Sequence, residues 1–378
     1  MRTKITFHYC LSRIGDVCLK NKKFTDIINM IDSSFSLSYY IYNKVKENGF
    51  EKLCCPIKIG LKITNKCMFN CSYCFVDKCN NKDISLKNIK SIFYKLPQLP
   101  YEVYLTGGEP TLNSDFINIV DYLNGMGIKL KLHTTGIISK KVEKYILDNN
   151  IFESIQVSMD SVNNFNAIRP SKNNYTIYDV LKFTHACLKN KIKIIVNIVL
   201  SRLNINELDD ILNFCKNNNL FTIRFTSVFT NDRDLILDDE EHFEYIFNIM
   251  KKYNNLGVKF ISDPFSHPWS LALKNKVDSF VSPLYCPAQK TEFEIDMHGD
   301  VYPCPFLHDK YHRMGNLIYD EFEKVWNSGV DKLKYSRWSE NRTCIKCSSY
   351  ELCGGGCYAF SYIMGNSYDE RCMINDNK

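Results

Sequence analysis

The sequence predicts an α/β fold: a partial (β/α)6 TIM-like barrel followed by a small cysteine-rich C-terminal domain. Three observations carry this. From Ile57 to about Thr226, short β-branched runs alternate with helical patterns, and strand–helix alternation builds a parallel sheet through right-handed crossovers. Six such units are too few to close an eight-stranded barrel. Ten of the 17 cysteines fall into two patterned groups, one behind the first strand and one near the C-terminus. With 378 residues, 45% of them hydrophobic, the chain can bury one barrel-sized core and a smaller unit.

Residues 1–55 precede the barrel and hold one clear helix, Ser36–Asn48, capped by Ser34 or Ser36. They are either a cover for the barrel or a partial peptide-binding module. The core, 56–234, has candidate strands at Ile57–Ile63, Glu102–Leu105, Lys129–His133, Ser154–Ser158, Ile192–Leu200 and Phe221–Phe225. Candidate helices are Leu86–Lys95, Asp115–Met126, Lys140–Asn149, Ile177–Lys189 and Ile205–Asn217, so five of the six strands have a helix after them. Residues 235–283 read as a bridge, with a helix near Glu240–Lys252, a strand near Val258–Ser262, and the turn-rich Asp263–Trp269. Residues 284–378 form the cysteine-rich domain.

Net charge is +6 without a long basic block, which argues against nucleic acid. No apolar run reaches the length of a membrane span, and Met1–His8 lacks a secretory core. A cytoplasmic protein is the expectation. Disulfides are disfavoured there, so 17 cysteines point to metal. Cys187 and Cys215 lie on apolar helical stripes and read as core residues.

The chemistry begins at Cys67, Cys71 and Cys74, a CxxxCxxC motif directly after the first strand. Three thiolates on one loop can hold three irons of a [4Fe–4S] cluster and leave the fourth open for chemistry. Tyr73 completes a CxxxCxΦC pattern. Thr106-Gly107-Gly108-Glu109-Pro110 follows the second strand, where paired glycines permit close backbone approach and a carboxylate can pair with an ammonium group. His133-Thr134-Thr135-Gly136 ends the third strand and Ser158-Met159-Asp160 the fourth. Taken singly, each is an ordinary turn or helix cap.

In this order the motifs resemble the radical S-adenosylmethionine (SAM) enzymes. The resemblance implies that the open iron binds SAM and that one electron cleaves it to a 5′-deoxyadenosyl radical. It places Gly107, Gly108 and Glu109 at the methionine amine, and Ser158 and Asp160 at the ribose or methionine carboxylate. Thr134 would line the pocket, and Arg169 would pair with the SAM carboxylate. The glycine-bearing fifth-strand motif of many relatives is replaced by Asn197-Ile-Val-Leu-Ser-Arg202. The reducing electron implies a donor such as flavodoxin or ferredoxin.

The second group runs Cys286, Cys304, Cys344, Cys347, Cys353, Cys357 and Cys372, a Cx12Gx4C … Cx2Cx5Cx3C … C pattern. Four close cysteines also suit tetrahedral Zn²⁺, but the order along the chain resembles the SPASM extension of radical SAM enzymes. That resemblance implies two auxiliary [4Fe–4S] clusters, three in all. Cys344, Cys347, Cys353 and Cys372 would hold the outer one; Cys286, Cys304 and Cys357 the inner one. Gly354–Gly356 permits tight wrapping between ligands.

SPASM relatives imply a peptide or protein substrate. The leading expectation is a maturase for a ribosomally made peptide, forming an oxidative thioether or carbon–carbon crosslink. The rivals are formylglycine formation of the anaerobic sulfatase-maturing type, radical modification of a small molecule, and a non-catalytic electron carrier. The Thr106–Pro110 motif argues against the carrier, which needs no SAM pocket. No catalytic base is assigned. His298, His308 and His312 read as structural, and Asp296 and Asp300 as turn caps.

Overall fold

The computed structural model describes residues 53, 55–76, 81–262, 286–329, 333, 339–347, 350 and 355–372. The predicted helix Ser36–Asn48, the Asp263–Trp269 turns, Cys353 and Gly354 lie outside the described residues.

The core alternates as expected. Strands β1 (Lys58–Thr64), β2 (Glu102–Gly107), β3 (Lys129–Thr134) and β4 (Phe152–Ser158) are followed by β5 (Ile194–Leu200) and β6 (Thr222–Ser227). The intervening helices are α1 (Leu86–Lys95), α2 (Phe116–Gly125), α3 (Lys140–Asn149), the short α4 (Phe165–Ile168), α5 (Ile177–Lys189) and α6 (Leu208–Asn217). Sharp helix starts have local causes. The Ser85 and Ser139 hydroxyls accept from the amides of Asn88 and Val142, and Thr176 forms a capping box with Asp179.

The expected bridge departs from its sequence reading. Helix α7 (Glu240–Asn254) is the crossover after β6, and β7 (Lys259–Ser262) pairs parallel to β6, with Arg224 opposite Ile261. All six core strands therefore have a helix after them. At the other edge β8 (Glu292–Ile295), from the cysteine-rich region, pairs parallel to β1, with Lys58 opposite Glu292 and Gly60 opposite Glu294. Two short antiparallel strands, β9 (Asp300–Tyr302) and β10 (Gly315–Asn316), complete one sheet of order β10-β9-β8-β1-β2-β3-β4-β5-β6-β7. Helices α8 (Phe322–Asn327), α9 (Arg342–Lys346) and α10 (Tyr358–Met364) follow.

Period-two alternation sorts each strand. Ile59, Leu61 and Ile63 of β1 are fully buried in the main apolar core with Ile89, Ile92 and Phe93 of α1, while Lys58, Gly60 and Lys62 take the opposite, lumen face. Each such apolar side chain contributes roughly 1.5–3 kcal/mol when fully buried. Cys187 and Cys215 are buried on α5 and α6, as read from their stripes. A second, smaller apolar cluster joins the end of β6 (Val228, Phe229) to Leu307 and to Ala359 and Phe360 of α10.

Candidate active site

The Cys67–Cys74 loop leaves the C-terminal end of β1 and is fixed at its base by polar clamps. The Thr64 hydroxyl and the Lys66 ammonium donate to the Asp83 carboxylate at 2.6 and 2.7 Å. Asn113 Nδ2 donates to the carbonyls of Ile63 and Ile84. Cys67 and Cys71 are half-buried and Cys74 is exposed. None of the described cysteines is joined in a disulfide.

The glycines of the second motif serve a different approach from the one expected. Gly107 has φ +146°, and a Cβ there would lie 2.1 Å from the Thr64 carbonyl oxygen; one on Gly108 would lie 2.3 Å from that of Lys66. The turn packs directly on the cysteine loop, with Gly108 N donating to Thr64 O and Glu109 N to Lys66 O at 2.9 and 2.7 Å. Glu109 is fully buried. Its Oε1 accepts from the Thr111 amide and hydroxyl, and its Oε2 from the Thr134 hydroxyl (2.8 Å) and the Thr135 amide (2.7 Å). A carboxylate has about four acceptor positions, and here internal donors take them. An incoming ammonium group would have to displace one of the threonine hydroxyls.

Arg169 and Asp160 also sit inside the protein's own network. Arg169 donates to the Ser158 carbonyl at 2.6 Å, lies 3.6 Å from Asp160 Oδ2, and stacks over the rings of Phe69 and Phe165. Its guanidinium also donates to the Cys71 sulfur. Asp160 accepts from the Val199 amide at 2.7 Å and from the Tyr73 hydroxyl. Cysteine loop, β4 end and β5 end are thus tied together through these two residues. Ser158, half-buried, is paired in register with Asn197.

The second thiol set lies against the small apolar cluster. Burial, reinforced by the neighbouring Cys286 and Cys357, pushes the Cys304 thiol well up; burial likewise pushes Cys357 up to about 12. Three thiols that close, none in a disulfide, are a donor set that iron would neutralise. Cys344 and Cys347 lie near each other, and the Asp369–Arg371 pair (2.7 Å, both buried) shapes the turn to Cys372. Among the described residues no three ligands converge as they would on a single ion. The segments that carry the two sets touch where Phe75 packs edge-on against Phe306 at 5.3 Å and Phe306 stacks on Phe229.

The sequence reading did not pick out the barrel lumen. Tyr104 donates to Glu294 Oε1 at 2.7 Å, His308 Nε2 lies 2.8 Å from Glu294 Oε2, and the Lys62 ammonium lies 3.3 Å from His308 Nδ1. Lys62 and Glu294 thus flank the two ring nitrogens of His308. Burial pushes the Glu294 carboxyl up, but the His308 bond and Lys62 outweigh it and hold the group at about 2. Gly60 makes room for the pair: a Cβ there would lie 2.3 Å from the Tyr104 oxygen and 2.5 Å from Glu294 Cγ. His133 stacks on Tyr104, and burial together with Arg224, Lys58 and Lys131 lowers it to about 3. The available signal was charge at every second position of otherwise apolar strands. Asp296 accepts from the amides of His298 and Asp300 and is the expected turn cap; His312 is buried against Asp309.

Comparison with known proteins agrees with this geometry. The radical SAM superfamily profile matches residues 61–215, and the SPASM iron–sulfur cluster-binding domain profile residues 286–348. The chain is 26% identical over 326 residues to the mycofactocin maturase MftC of Mycolicibacterium smegmatis, covering 83% of this chain and 81% of that protein. It is 26% identical over 329 residues to a cysteine-type anaerobic sulfatase-maturating enzyme of Clostridium novyi, covering 78% of this chain and 85% of that one. The crystal structure of Streptococcus suis SuiB bound to its precursor peptide SuiA shares the fold, with a TM-score of 0.67 at 17% identity over 88% of this chain and 81% of that one.

Proposed function

We propose, from the premise that this chain belongs to the radical SAM superfamily and carries a SPASM domain, that it is a peptide maturase. It removes hydrogen from a residue of a ribosomally made peptide and leaves an oxidative crosslink, a thioether or a carbon–carbon bond. The observation that supports the reading is the contact between the two cysteine-bearing segments, where Phe75, next to Cys74, packs on Phe306, two residues beyond Cys304. MftC is by name a maturase, and SuiB was solved with a precursor peptide, which supports a peptide substrate.

Cys67, Cys71 and Cys74 would hold the SAM-binding cluster; Cys286, Cys304 and Cys357 the inner auxiliary cluster; Cys344, Cys347, Cys353 and Cys372 the outer one. When bound, these groups supply a primary-carbon radical and a route for one further electron. The chain's own part is positioning. Arg169 and Asp160 hold the cysteine loop against β4 and β5, and the ring stack of Phe75, Phe306 and Phe229 ties that loop to the segment that carries Cys304. Gly107, Gly108, Glu109, Thr134 and Ser158 line the strand ends where SAM would lie. The division into a leading segment, a core and a cassette, an electron donor of flavodoxin or ferredoxin type, and a cytoplasmic site belong to the same proposal. No described helix is long and apolar enough to cross a membrane.

The test is reconstitution under anaerobic conditions with SAM, reductant and a candidate precursor peptide, read by mass spectrometry. Loss of two hydrogens with a crosslink in the fragment spectrum is expected. The similarity to a sulfatase-maturating enzyme favours a second reading. Under it the product is an aldehyde that reacts with a hydrazide, on a sulfatase-derived peptide.

A further inference from the structure

Charges in the barrel lumen are matched in pairs. Lys58 meets Glu292 at 2.8 Å, Lys131 meets Glu102 at 2.6 Å, and Glu294 is shared by His308 and Tyr104. Arg224 departs from this pattern. It lies in β6 between Ile223 and Phe225, which are buried in the main core, so its own side chain takes the lumen face. Its Nε is buried without a partner, and the residue makes no hydrogen bond or ion pair from its side chain among the described residues. The charges that share this part of the lumen are Lys58 and Lys131, each held by its own carboxylate, and Glu294: Arg224, Lys58 and Lys131 disfavour a proton on His133 and Glu294 favours one.

Arg224 is half-buried, and a guanidinium whose Nε is withdrawn from water without a partner gains from an anion that completes it. The register gives the place. Ser158, Asn197 and Arg224 stand in one row across β4, β5 and β6, next to the strand ends that carry the candidate active site. Asn197 is buried; its Oδ1 accepts from the Thr226 hydroxyl at 2.8 Å, and its Nδ2 makes no hydrogen bond among the described residues. A planar guanidinium fork beside a free amide donor is a carboxylate-binding arrangement.

We infer that Arg224, with Asn197, binds a carboxylate of the substrate, either the peptide's C-terminus or an acidic side chain, and so seats the reacting residue in the lumen. The inference rests on the peptide reading above.

Equilibrium dialysis on the reconstituted, SAM-loaded enzyme tests it with three probes: an N-acetylated dipeptide acid, its C-terminal amide, and an amidated dipeptide with a glutamate side chain. One or both carboxylate probes are expected to bind about tenfold more tightly than the neutral amide, and which does so identifies the source. Arg224→Met should erase that preference, and Arg224→Lys should keep part of it. SAM affinity, measured in the same samples, should change less than about twofold, since Arg224 is assigned to substrate. Iron content and the Arg224→Lys variant control for misfolding. Three results would each overturn the proposal: no preference for acid over amide in the parent enzyme, a preference that survives Arg224→Met, or a loss of SAM affinity in Arg224→Met. If an N-acetyl amino acid binds as well as the dipeptide, with the same dependence on Arg224, the carboxylate site stands and the peptide reading fails.

Discussion

The two thiol sets are held in different ways. Cys67, Cys71 and Cys74 sit on a loop whose last cysteine faces solvent, and the loop is fixed from beneath by Asp83, Asn113 and Arg169. Cys286, Cys304 and Cys357 lean on hydrocarbon from Phe229, Leu307, Ala359 and Phe360. A cluster that must admit a ligand needs an open side, so its loop is tied by directional hydrogen bonds at the base. A cluster that only passes electrons gains from a low-dielectric wall, because burial sets its potential and excludes oxygen. The difference supports a division of labour between the two sets.

Replacing Cys67, Cys71 and Cys74 together by Ala should break the comparison hardest. No 5′-deoxyadenosine should form, while about eight of about twelve irons per chain remain, counted by iron and sulfide analysis. Parallel loss of both sets would mean that they are one folding unit. Cys357→Ala should be more selective: crosslinked peptide is lost while 5′-deoxyadenosine continues to form, and chromatography of one quenched reaction reads both. Arg169→Met strips a buried partner from Asp160 and should lower stability by about 3 kcal/mol in urea titrations, with loss of iron from the first set before the second. Gly60→Ala drives a methyl group into Tyr104 and Glu294 and should cost about 2 kcal/mol without changing iron content.

The smallest effect concerns pH. His133 is held at about 3, below the usual 6.5 of histidine. As pH falls below about 6.5, the unfolded chain takes a proton that the folded chain refuses. Stability is therefore complete above 6.5 and declines toward 3, by up to about 1.4 kcal/mol per pH unit. His133→Asn removes this component. Denaturation midpoints of parent and variant should diverge between pH 7.5 and pH 5.5, with the parent falling faster.

Much of the architecture was legible because its causes are local. Leu86–Lys95, Lys140–Asn149 and Ile177–Lys189 begin and end where their caps and stripes place them. The cysteine spacing likewise announced itself. What could not be read depends on partners far apart in sequence. Nothing in Glu292–Ile295 says that it will lie beside Lys58–Leu61, and nothing in Val258–Ser262 says that it extends the sheet beyond β6. The same holds for the lumen: Tyr104, Glu294, His308 and Lys62 form one network only because β1, β2 and β8 are neighbours. For Glu109 and Arg169 the hydrogen-bond partners emerged only from the fold.

The pairing of β8 with β1 has a consequence for how the chain is made. Strand β1 must wait for a partner made much later, since Lys58 pairs with Glu292. Such a closure is slow because so long a loop must be ordered before any contact rewards it. Until then β1 presents a bare edge beside a loop of reactive thiols, open to pairing with other chains. A nascent copy stalled before Glu292 should therefore aggregate, and iron delivery is best timed to follow the pairing of β8 with β1.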